Sequence, residues 1–350
     1  MSVLLFLIVL AVLILSHELG HFIVAKKNGI RVDEFGFGFP PRLFKFQKGE
    51  TIYSVNLIPF GGFVKIYGEE GQDAGDLRSF ASKSIKVRAI IIAAGVVFNL
   101  ILAWVLLSSG LITGLPASTS AFPNAKEIKD IKITIIEVAK NSPAESGGLK
   151  AGDEILEFSK IENVKNFIDQ NKGREMEMQY KRGDIVSSVK IMPRENPPLG
   201  QGAIGIVMNE VGIVKLAWYQ APWEGLKMTF QMTVSVAVAI FYFIVNIVKG
   251  LAGLEGVIGP VGIVSVTGAA AKMGFAYLLS FTAFLSINLA VINIIPFPAL
   301  DGGRLLFLLI EKIKGSPVSR KFSGISHGIG LILLLILMFA ITYRDILKLI

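Results

Sequence analysis

Long apolar stretches alternate with polar ones along this chain. Residues 3–25, 89–112, 275–295 and 325–342 are each long and apolar enough to cross a bilayer as a helix, which rises about 1.5 Å per residue. Residues 115–205 differ, because they combine charged residues, turn signals and short strand-like runs, as a soluble α/β domain does. The pattern predicts a polytopic α-helical membrane protein with four core transmembrane helices and one inserted α/β domain.

A further apolar stretch, residues 228–248, is interrupted by Gln231, Ser235 and Asn246. It is consistent with either a span or an amphipathic helix that lies at the membrane interface. The chain therefore divides into four regions. These are the first membrane part, the inserted domain, an interfacial region and the second membrane part, at residues 1–114, 115–205, 206–274 and 275–350.

Composition supports a membrane protein, since 52% of the residues are hydrophobic, only 18% are charged and the mean hydropathy is +0.61. The chain contains no cysteine, which excludes disulfides and thiolate metal ligands. The net charge of +8 reflects Lys and Arg beside the apolar spans, which is the positive-inside pattern and does not indicate nucleic-acid binding. Residues 26–88 hold eleven of these cations and residues 304–321 hold five, so we expect both segments in the cytoplasm and the inserted domain outside it.

The candidate chemistry lies within the first span, where His17-Glu18-Leu19-Gly20-His21 follows a long apolar run. On a helix, positions i and i+4 share a face, so His17 and His21 can hold one metal ion. Glu18 is placed to take a proton from the attacking water, which is the HExxH arrangement of zinc hydrolases. Ionisable groups inside a span are costly, so we interpret the cluster as functional.

Catalytic zinc usually takes three protein ligands, and the HELGH sequence supplies only two. Asp301 is the best candidate for the third, because it follows a span broken by Pro296 and Pro298, at the depth expected for the two histidines. Asn293 ends the same span and is either a helix cap or a group that stabilises an oxyanion or binds a substrate strand. Residues 324–328 match the GxSxG string of serine hydrolases but lack its strand-turn-helix context.

Two glycine-rich, apolar segments lie in the first basic connector, at residues 36–40 and 53–66. The second alternates weakly between apolar and polar positions and contains the turn sequence PFGG, so it predicts a β-hairpin. Its apolar character beside an intramembrane site favours a hairpin that dips into the membrane, against protein or a water-filled cavity.

The residues described above resemble the site-2 protease family, in particular its bacterial regulator-of-sigma-E branch. The motifs that carry the resemblance are HELGH at 17–21, NxxPxPxLDG at 293–302, Gly36 to Gly38, residues 53–66 and Gly259-Pro260. Residues 141–158 resemble the PDZ fold. The resemblance implies a zinc intramembrane endopeptidase of the bacterial inner membrane, with Zn²⁺ as cofactor and an active site near the cytoplasmic side.

The resemblance also implies partners for the protein. The substrate would be a single-span membrane protein, such as an anti-sigma factor already trimmed outside the membrane, or a signal-peptide remnant. The hairpin would bind the substrate as an added strand, with Gly61, Gly62 and Phe63 in the binding segment. The PDZ-like domain would lie outside the cytoplasm and bind peptide or protein segments. The chain departs from the family pattern in having room for one PDZ module where several relatives have two, and in Val96, where the second span often has proline.

Two other functions compete with the protease. A non-catalytic membrane scaffold would capture peptides with its PDZ-like domain and use HELGH as a structural metal clip, but such a site needs no base at Glu18. An ion transporter would need carboxylates in a chain across the spans, and the acids here do not form one. We therefore predict a membrane metalloprotease. Its two histidines and one aspartate suit zinc without excluding other divalent ions.

The metal site also decides the topology of residues 228–248. The first span must run inwards to bring His17 and His21 towards the cytoplasm, and residues 275–295 must run inwards as well for Asp301 to meet them. One additional crossing would place Asp301 most of a bilayer, roughly 20–30 Å, from the histidines. We therefore predict that residues 228–248 lie on or dip into the outer face without crossing.

Overall fold

Two compact units make up the fold. The computed structural model describes the chain except for residues 1, 70, 72, 74, 120, 121, 123–126, 184, 199, 200, 251–256 and 348–350. What we call the helical unit consists of Met1–Ser108 and Pro222–Ile350, and the inserted unit is Ser109–Ala221.

The helices and strands follow the predicted order of membrane and soluble parts. In chain order they are α1 (Ser2–Lys27), β1 (Val32–Lys48), β2 (Thr51–Ile66), α2 (Ile85–Thr113), β3 (Leu115–Ser118), β4 (Glu127–Val138), α3 (Pro143–Ser146), β5 (Glu154–Ile155), α4 (Ile161–Gln170), β6 (Met176–Arg182), β7 (Ile185–Ile191), β8 (Ile206–Lys215), α5 (Ala221–Val248), α6 (Pro260–Met273), α7 (Phe275–Ile294), α8 (Asp301–Lys314) and α9 (Arg320–Leu347). Among the described helices, α1, α2, α5, α7 and α9 are long and apolar enough to cross a membrane. The protein is thus a multi-pass membrane protein, and α5 contains the stretch for which the sequence predicts an interfacial position.

Prolines explain where the helices near the candidate site end. Helix α7 ends at Ile294, because Pro296 and Pro298 cannot continue the backbone hydrogen bonds of a helix. A short turn follows, in which the Leu300 N–H donates to the Phe297 carbonyl oxygen (3.1 Å). Helix α8 then begins with Asp301 in its first turn. The broken segment therefore delivers a carboxylate directly after a membrane-spanning helix.

Strands β1 and β2 form an antiparallel sheet with an interrupted register. The sequence predicts a hairpin within residues 53–66 alone, and that choice of partner is wrong. Both halves of β2 pair with β1 instead, since Tyr53 and Val64 are both partners of Phe35. The physical reason is that β1 is apolar and contains glycines, as β2 does. The first part of β1 can therefore lie between the two segments of β2 and pair with both.

The turn between β1 and β2 is fastened to the end of α1. The Glu50 carboxylate accepts a hydrogen bond from Lys26 Nζ (2.7 Å) and also pairs with Arg78. Hydrogen bonds from these two cations lower the pKa of Glu50 to about 2, so this carboxylate stays ionised near neutral pH. At the other side of the turn, the buried Thr51 hydroxyl donates to the Val32 carbonyl oxygen (2.8 Å). These contacts hold the β1–β2 sheet beside the C-terminal end of the first span.

The inserted unit contains a six-stranded antiparallel sheet in the order β3-β8-β4-β5-β6-β7. Its core combines Ile133 and Met178 from the strands with Val164 from the amphipathic helix α4. The unit is an α/β domain, as the sequence predicts. It extends beyond the predicted limits of residues 115–205, because β8 pairs with both β3 and β4 and thereby completes the sheet.

Helix α2 runs antiparallel to α1. The later part of α2 contacts the start of α5, near the N-terminal end of α1 and away from the two histidines. Gly20 packs against Ala94, and the Ser16 hydroxyl donates to the Phe98 carbonyl oxygen (3.2 Å). Further along α2, the indole Nε1 of Trp104 donates to a carbonyl oxygen in the first turn of α5 (2.7 Å). The start of α5 therefore lies on the side of the N-terminus of α1.

Helix α6 lies at this same end of the helical unit. Buried Asp345, near the end of α9, accepts a hydrogen bond from the Gly259 N–H (2.9 Å) and so caps the start of α6. Later in α6, Gly268 packs against Ser2, which is about 22 Å along α1 from His17 at 1.5 Å per residue. The segment from α5 to α6 thus begins and ends on the same side of His17, which supports an even number of crossings between them.

We predict from this arrangement that α5 does not cross the bilayer. If it did cross, the short segment between Val248 and Pro260 would have to return through about 30 Å of hydrocarbon as extended chain, with no internal hydrogen bonds. In this cysteine-free chain, Lys249→Cys should react with an impermeant thiol reagent added from outside the cell, whereas Lys48→Cys should react only from the cytoplasmic side. Labelling of Lys249→Cys from the cytoplasmic side alone would show that α5 crosses.

Candidate active site

Three potential metal ligands from distant parts of the sequence meet in the helical unit. His17 and His21 lie one turn apart on α1, and their Nε2 atoms are 3.2 Å apart. Asp301 places its Oδ2 atom 3.1 Å from His17 Nε2 and 3.3 Å from His21 Nε2. The three side chains are only 11–12% exposed. Within the part of the chain that the structure describes, they are the group of His, Asp or Glu side chains that could hold a metal ion.

The separations between these atoms fit a tetrahedral metal ion. In a tetrahedron the ligand atoms are about 1.6 bond lengths apart, which gives about 3.3 Å for bonds of about 2.0–2.1 Å to zinc. The observed distances of 3.1, 3.2 and 3.3 Å all match. The Asp301 Oδ2 atom is buried and makes no hydrogen bond, although both imidazoles are close to it, so the protein does not satisfy this oxygen by itself. The residues therefore fit zinc with one tetrahedral position left over.

The three candidate ligands share a cavity of about 400 Å³ with Glu18. Gly62 packs closely against Glu18, since a Cβ at Gly62 would lie 3.1 Å from Glu18 Cγ. Residues from α1, from β2 and the turn after it, from the end of α7, and from the break before α8 and its first turn complete the wall: Ile14, Gly61, Phe63, Val64, Ile66, Glu69, Leu289, Asn293, Ala299 and Arg304. The structure thus brings all eight candidate site residues of the sequence analysis to one cavity, namely His17, Glu18, His21, Gly61, Gly62, Phe63, Asn293 and Asp301.

The chain also matches known proteins over almost its whole length. A family model described as Peptidase family M50 matches residues 5–337. The chain belongs to peptidase family M50. A protein of Clostridium perfringens is 37% identical over 97% of both chains. The regulator of sigma-W protease RasP of Bacillus subtilis is 30% identical over 99% of both chains, and the zinc metalloprotease RasP of Geobacillus kaustophilus is 29% identical over 99% of this chain and 98% of its own. The predicted family is therefore confirmed.

In this M50 peptidase, the close approach of α1 and α2 holds the two histidines. A carbonyl can only accept, so His21 donates its Nδ1–H to the Ile91 oxygen (2.8 Å), and in the neutral imidazole this leaves Nε2 without a hydrogen. Gly95 lies against both rings, since a Cβ there would come 2.5 Å from His21 Nε2 and 2.6 Å from His17 Cε1. Gly20 likewise has no room for a Cβ against the backbone of α2. The glycines at this crossing therefore allow the helix contact on which the ligand positions depend.

The loop that presents Asp301 is held by a histidine that the sequence analysis did not assign to the site. Ala299 has a φ of +79°, a left-handed conformation that is strained for any residue except glycine. Its N–H donates to Nδ1 of His327 on α9 (2.9 Å). His327 belongs to the GxSxG string, which lies within a helix and does not form a nucleophile elbow. No signal in the sequence connects this histidine with the loop, because the contact depends on how α9 packs.

Two ion pairs tie α8 to earlier parts of the M50 chain. Arg304, one turn beyond Asp301, pairs with Glu69 at the wall of the cavity. Arg88 on α2 pairs with Glu311, and both side chains are largely buried. The partners are 235 and 223 residues apart in sequence, so spacing could not predict either pair. Together they fix the helix that carries the third candidate ligand.

We predict that Asp301→Ala will lose zinc about as strongly as His17→Ala, because each substitution removes one of three ligand atoms. Bound zinc should be measured by elemental analysis of the purified chain after treatment with a chelator. Asp169→Ala, on the exposed surface of the inserted unit, removes the same charge and should keep the zinc content of the unmodified protein. Full zinc occupancy in Asp301→Ala would move the third ligand elsewhere.

Proposed function

We propose that this chain is a zinc-dependent intramembrane endopeptidase that cleaves single-span membrane proteins. One observation carries the proposal: two imidazole nitrogens, one carboxylate oxygen and Glu18 converge in a cavity between apolar helices. A hydrolase that works at membrane depth needs this arrangement, because lipid cannot hold water or charge and protein must enclose both. Membership of family M50 and the zinc metalloprotease relatives support the same function.

In this proposal His17, His21 and Asp301 hold the ion, and Glu18 is the general base. Zinc, when bound, polarises the scissile carbonyl and lowers the pKa of a water molecule. Glu18 accepts the proton of the attacking water and later delivers it to the leaving amine. Its position supports this role, since it lines the cavity beside the ligands while remaining outside the ligand group itself.

We infer that the substrate binds as an extended strand beside β2. A helical substrate hides its carbonyl groups in hydrogen bonds between successive turns, so it must unwind before it can be cut. Phe63 pairs with Gly36 of β1 and also lines the cavity, so this part of β2 belongs to the sheet and lies beside the catalytic groups. Gly61 and Gly62 line this cavity with main-chain groups alone, and the Asn293 amide on the wall can bind a substrate carbonyl or an oxyanion.

We place the cavity near the cytoplasmic face of the bacterial inner membrane. The motif lies in the C-terminal half of α1, and this helix ends with Lys26 and Lys27. The cations of residues 26–88 and 304–321 flank the same side of the site, in agreement with the positive-inside rule. The inserted unit is then extracytoplasmic.

We infer that the inserted unit is a single PDZ-like module that binds peptide segments and screens substrates. Its antiparallel sheet and amphipathic helix α4 support this assignment. The alignment with RasP of Bacillus subtilis spans 439 positions although this chain has 350 residues, so that relative contains sequence that this chain lacks. The shorter length of this chain supports an inserted unit with a single PDZ-like module. Because that relative is named as a regulator of sigma-W protease, we infer an anti-sigma factor or a signal-peptide remnant as substrate.

A non-catalytic membrane scaffold with a structural metal clip accounts for the site less well. A structural zinc site is closed by four protein ligands, whereas three ligand residues meet here among the described residues. The same cavity contains an acid, Glu18, that a structural site does not use.

We predict that Glu18→Gln will keep zinc bound and lose about 10²–10⁴-fold in cleavage rate, because the amide has the same shape but cannot accept the proton. The assay is cleavage of a tagged single-span substrate by the purified chain, with and without chelator. Zinc content, measured on the same sample, separates loss of the base from loss of the metal. Cleavage by Glu18→Gln at a rate close to that of the unmodified protein would refute the assignment.

The screening role predicts a second result. Ser118 pairs with Val211, so replacing residues 119–210 by a two-residue turn should close β3 onto β8 and leave the chain connected. This variant should cut a substrate that still carries a bulky outer domain, which the complete chain should reject. Both proteins should cut a substrate that has already been trimmed. Identical rejection of the untrimmed substrate by both proteins would assign the inserted unit another role.

A further inference from the structure

We infer that Asn99 is a positioning residue that accepts a hydrogen bond from Nδ1 of His17 and thereby fixes the metal-binding tautomer of that ligand. Asn99 lies on α2 and is fully buried. Its amide group is beside the ring, with 3.4 Å between Asn99 Nδ2 and His17 Nδ1. Its other end, Oδ1, is buried and has no hydrogen-bond partner among the described residues. The inference rests on the proposed metal site and adds a residue outside both of its motifs.

The orientation of the His17 ring decides where its hydrogen must be. Nε2 faces His21 and Asp301, so Nε2 is the ligand atom. A neutral imidazole carries one N–H, and a nitrogen that binds a metal carries none, so the hydrogen is on Nδ1. A buried N–H needs an acceptor, and metal-binding histidines regularly donate their second N–H to an oxygen. The group that lies beside Nδ1 is the Asn99 amide.

The Asn99 amide supplies this acceptor in one of its two orientations. With its NH₂ group towards the ring, a donor faces a donor and Oδ1 is left without a partner. A rotation of 180° about the last torsion exchanges the two ends and lets Oδ1 accept from His17 Nδ1. The two ends have nearly the same shape, so packing does not oppose the rotation and hydrogen bonding decides it. A metal ion at His17 Nε2 requires the hydrogen on Nδ1, and the Asn99 oxygen stabilises that same tautomer. Metal binding and this amide orientation therefore favour each other.

The backbone of Asn99 lies within helix α2, so its position does not depend on the metal. The Ser286 hydroxyl on α7 donates to the Asn99 carbonyl oxygen (2.7 Å). The other ligand histidine, His21, is oriented by the main-chain oxygen of Ile91, which no side-chain substitution removes. The acceptor for His17 is instead a side chain, so the chain offers a direct test of its role.

The test compares Asn99→Leu and Asn99→Asp in the purified full-length chain, with zinc affinity measured by competition against a chelator. Leucine has a similar size but no acceptor, whereas aspartate has the same shape and an oxygen at both ends. We expect Asn99→Leu to bind zinc about 10–100-fold more weakly and Asn99→Asp to recover most of that loss. Ser286→Ala is the matched control, because it removes a hydroxyl from the same helix contact but leaves the amide, and it should bind zinc normally.

Equal losses in Asn99→Asp and Asn99→Leu would overturn the inference, because a purely structural role predicts that result. Unchanged affinity in Asn99→Leu would overturn it as well. If Asn99→Leu does not fold, Asn99→Ala serves as the variant without an acceptor. If either result overturns the role of Asn99, the proposed metal site still stands provided that His17→Ala loses zinc. Equal zinc binding by the unmodified chain and His17→Ala would refute the site, and the inference with it.

Discussion

Buried charge is the constraint that the rest of this structure has to meet. Asp301 and Glu18 lie among apolar membrane helices, where a carboxylate is costly unless a cation offsets it. Neutral histidines alone do not offset it, since Asp301 Oδ2 is 3.1 Å and 3.3 Å from their Nε2 atoms and still has no hydrogen bond. A divalent ion at the meeting point would be held by all three candidate ligand atoms and would neutralise the acid. The packing of α1, α2, α7 and α8 maintains that meeting point.

The same constraint accounts for irregular backbone at membrane depth. The break between α7 and α8 and the sheet of β1 and β2 would leave polar main-chain groups unsatisfied against lipid, but both line a cavity. The backbone in the break is strained at Ala299, and the hydrogen bond from the Ala299 N–H to His327 holds it. This polar contact, which would be costly in lipid, thus stabilises the loop that presents Asp301. Exposed main-chain groups in a protected cavity are also what an unwound substrate needs.

Sequence reasoning succeeded where one element contains its own geometry. His17 and His21 are fixed relative to each other by the turn of one helix, and the two prolines marked the break that presents Asp301. The contacts of Asn99 and His327 could not be predicted, because the spans are apolar on nearly every face and the pattern does not show which faces meet. The partner of β2 and the outer limit of the inserted unit were missed for a similar reason, since strand pairing between distant segments leaves no local signal.

The inserted unit enters the chain between two points of the helical unit that lie close together. Its two ends join segments of the helical unit that already touch, since Trp104 donates to the Pro222 carbonyl oxygen and Gly225 packs against Ser108. A chain that leaves and returns at adjacent points can accept an insertion of almost any length without moving the helices that flank it. Alignments of 352 and 439 positions, each covering nearly all of both chains, show that family members differ in length. Insertion at such a point allows the inserted part to differ in length between family members while the contacts between α2 and α5 stay the same.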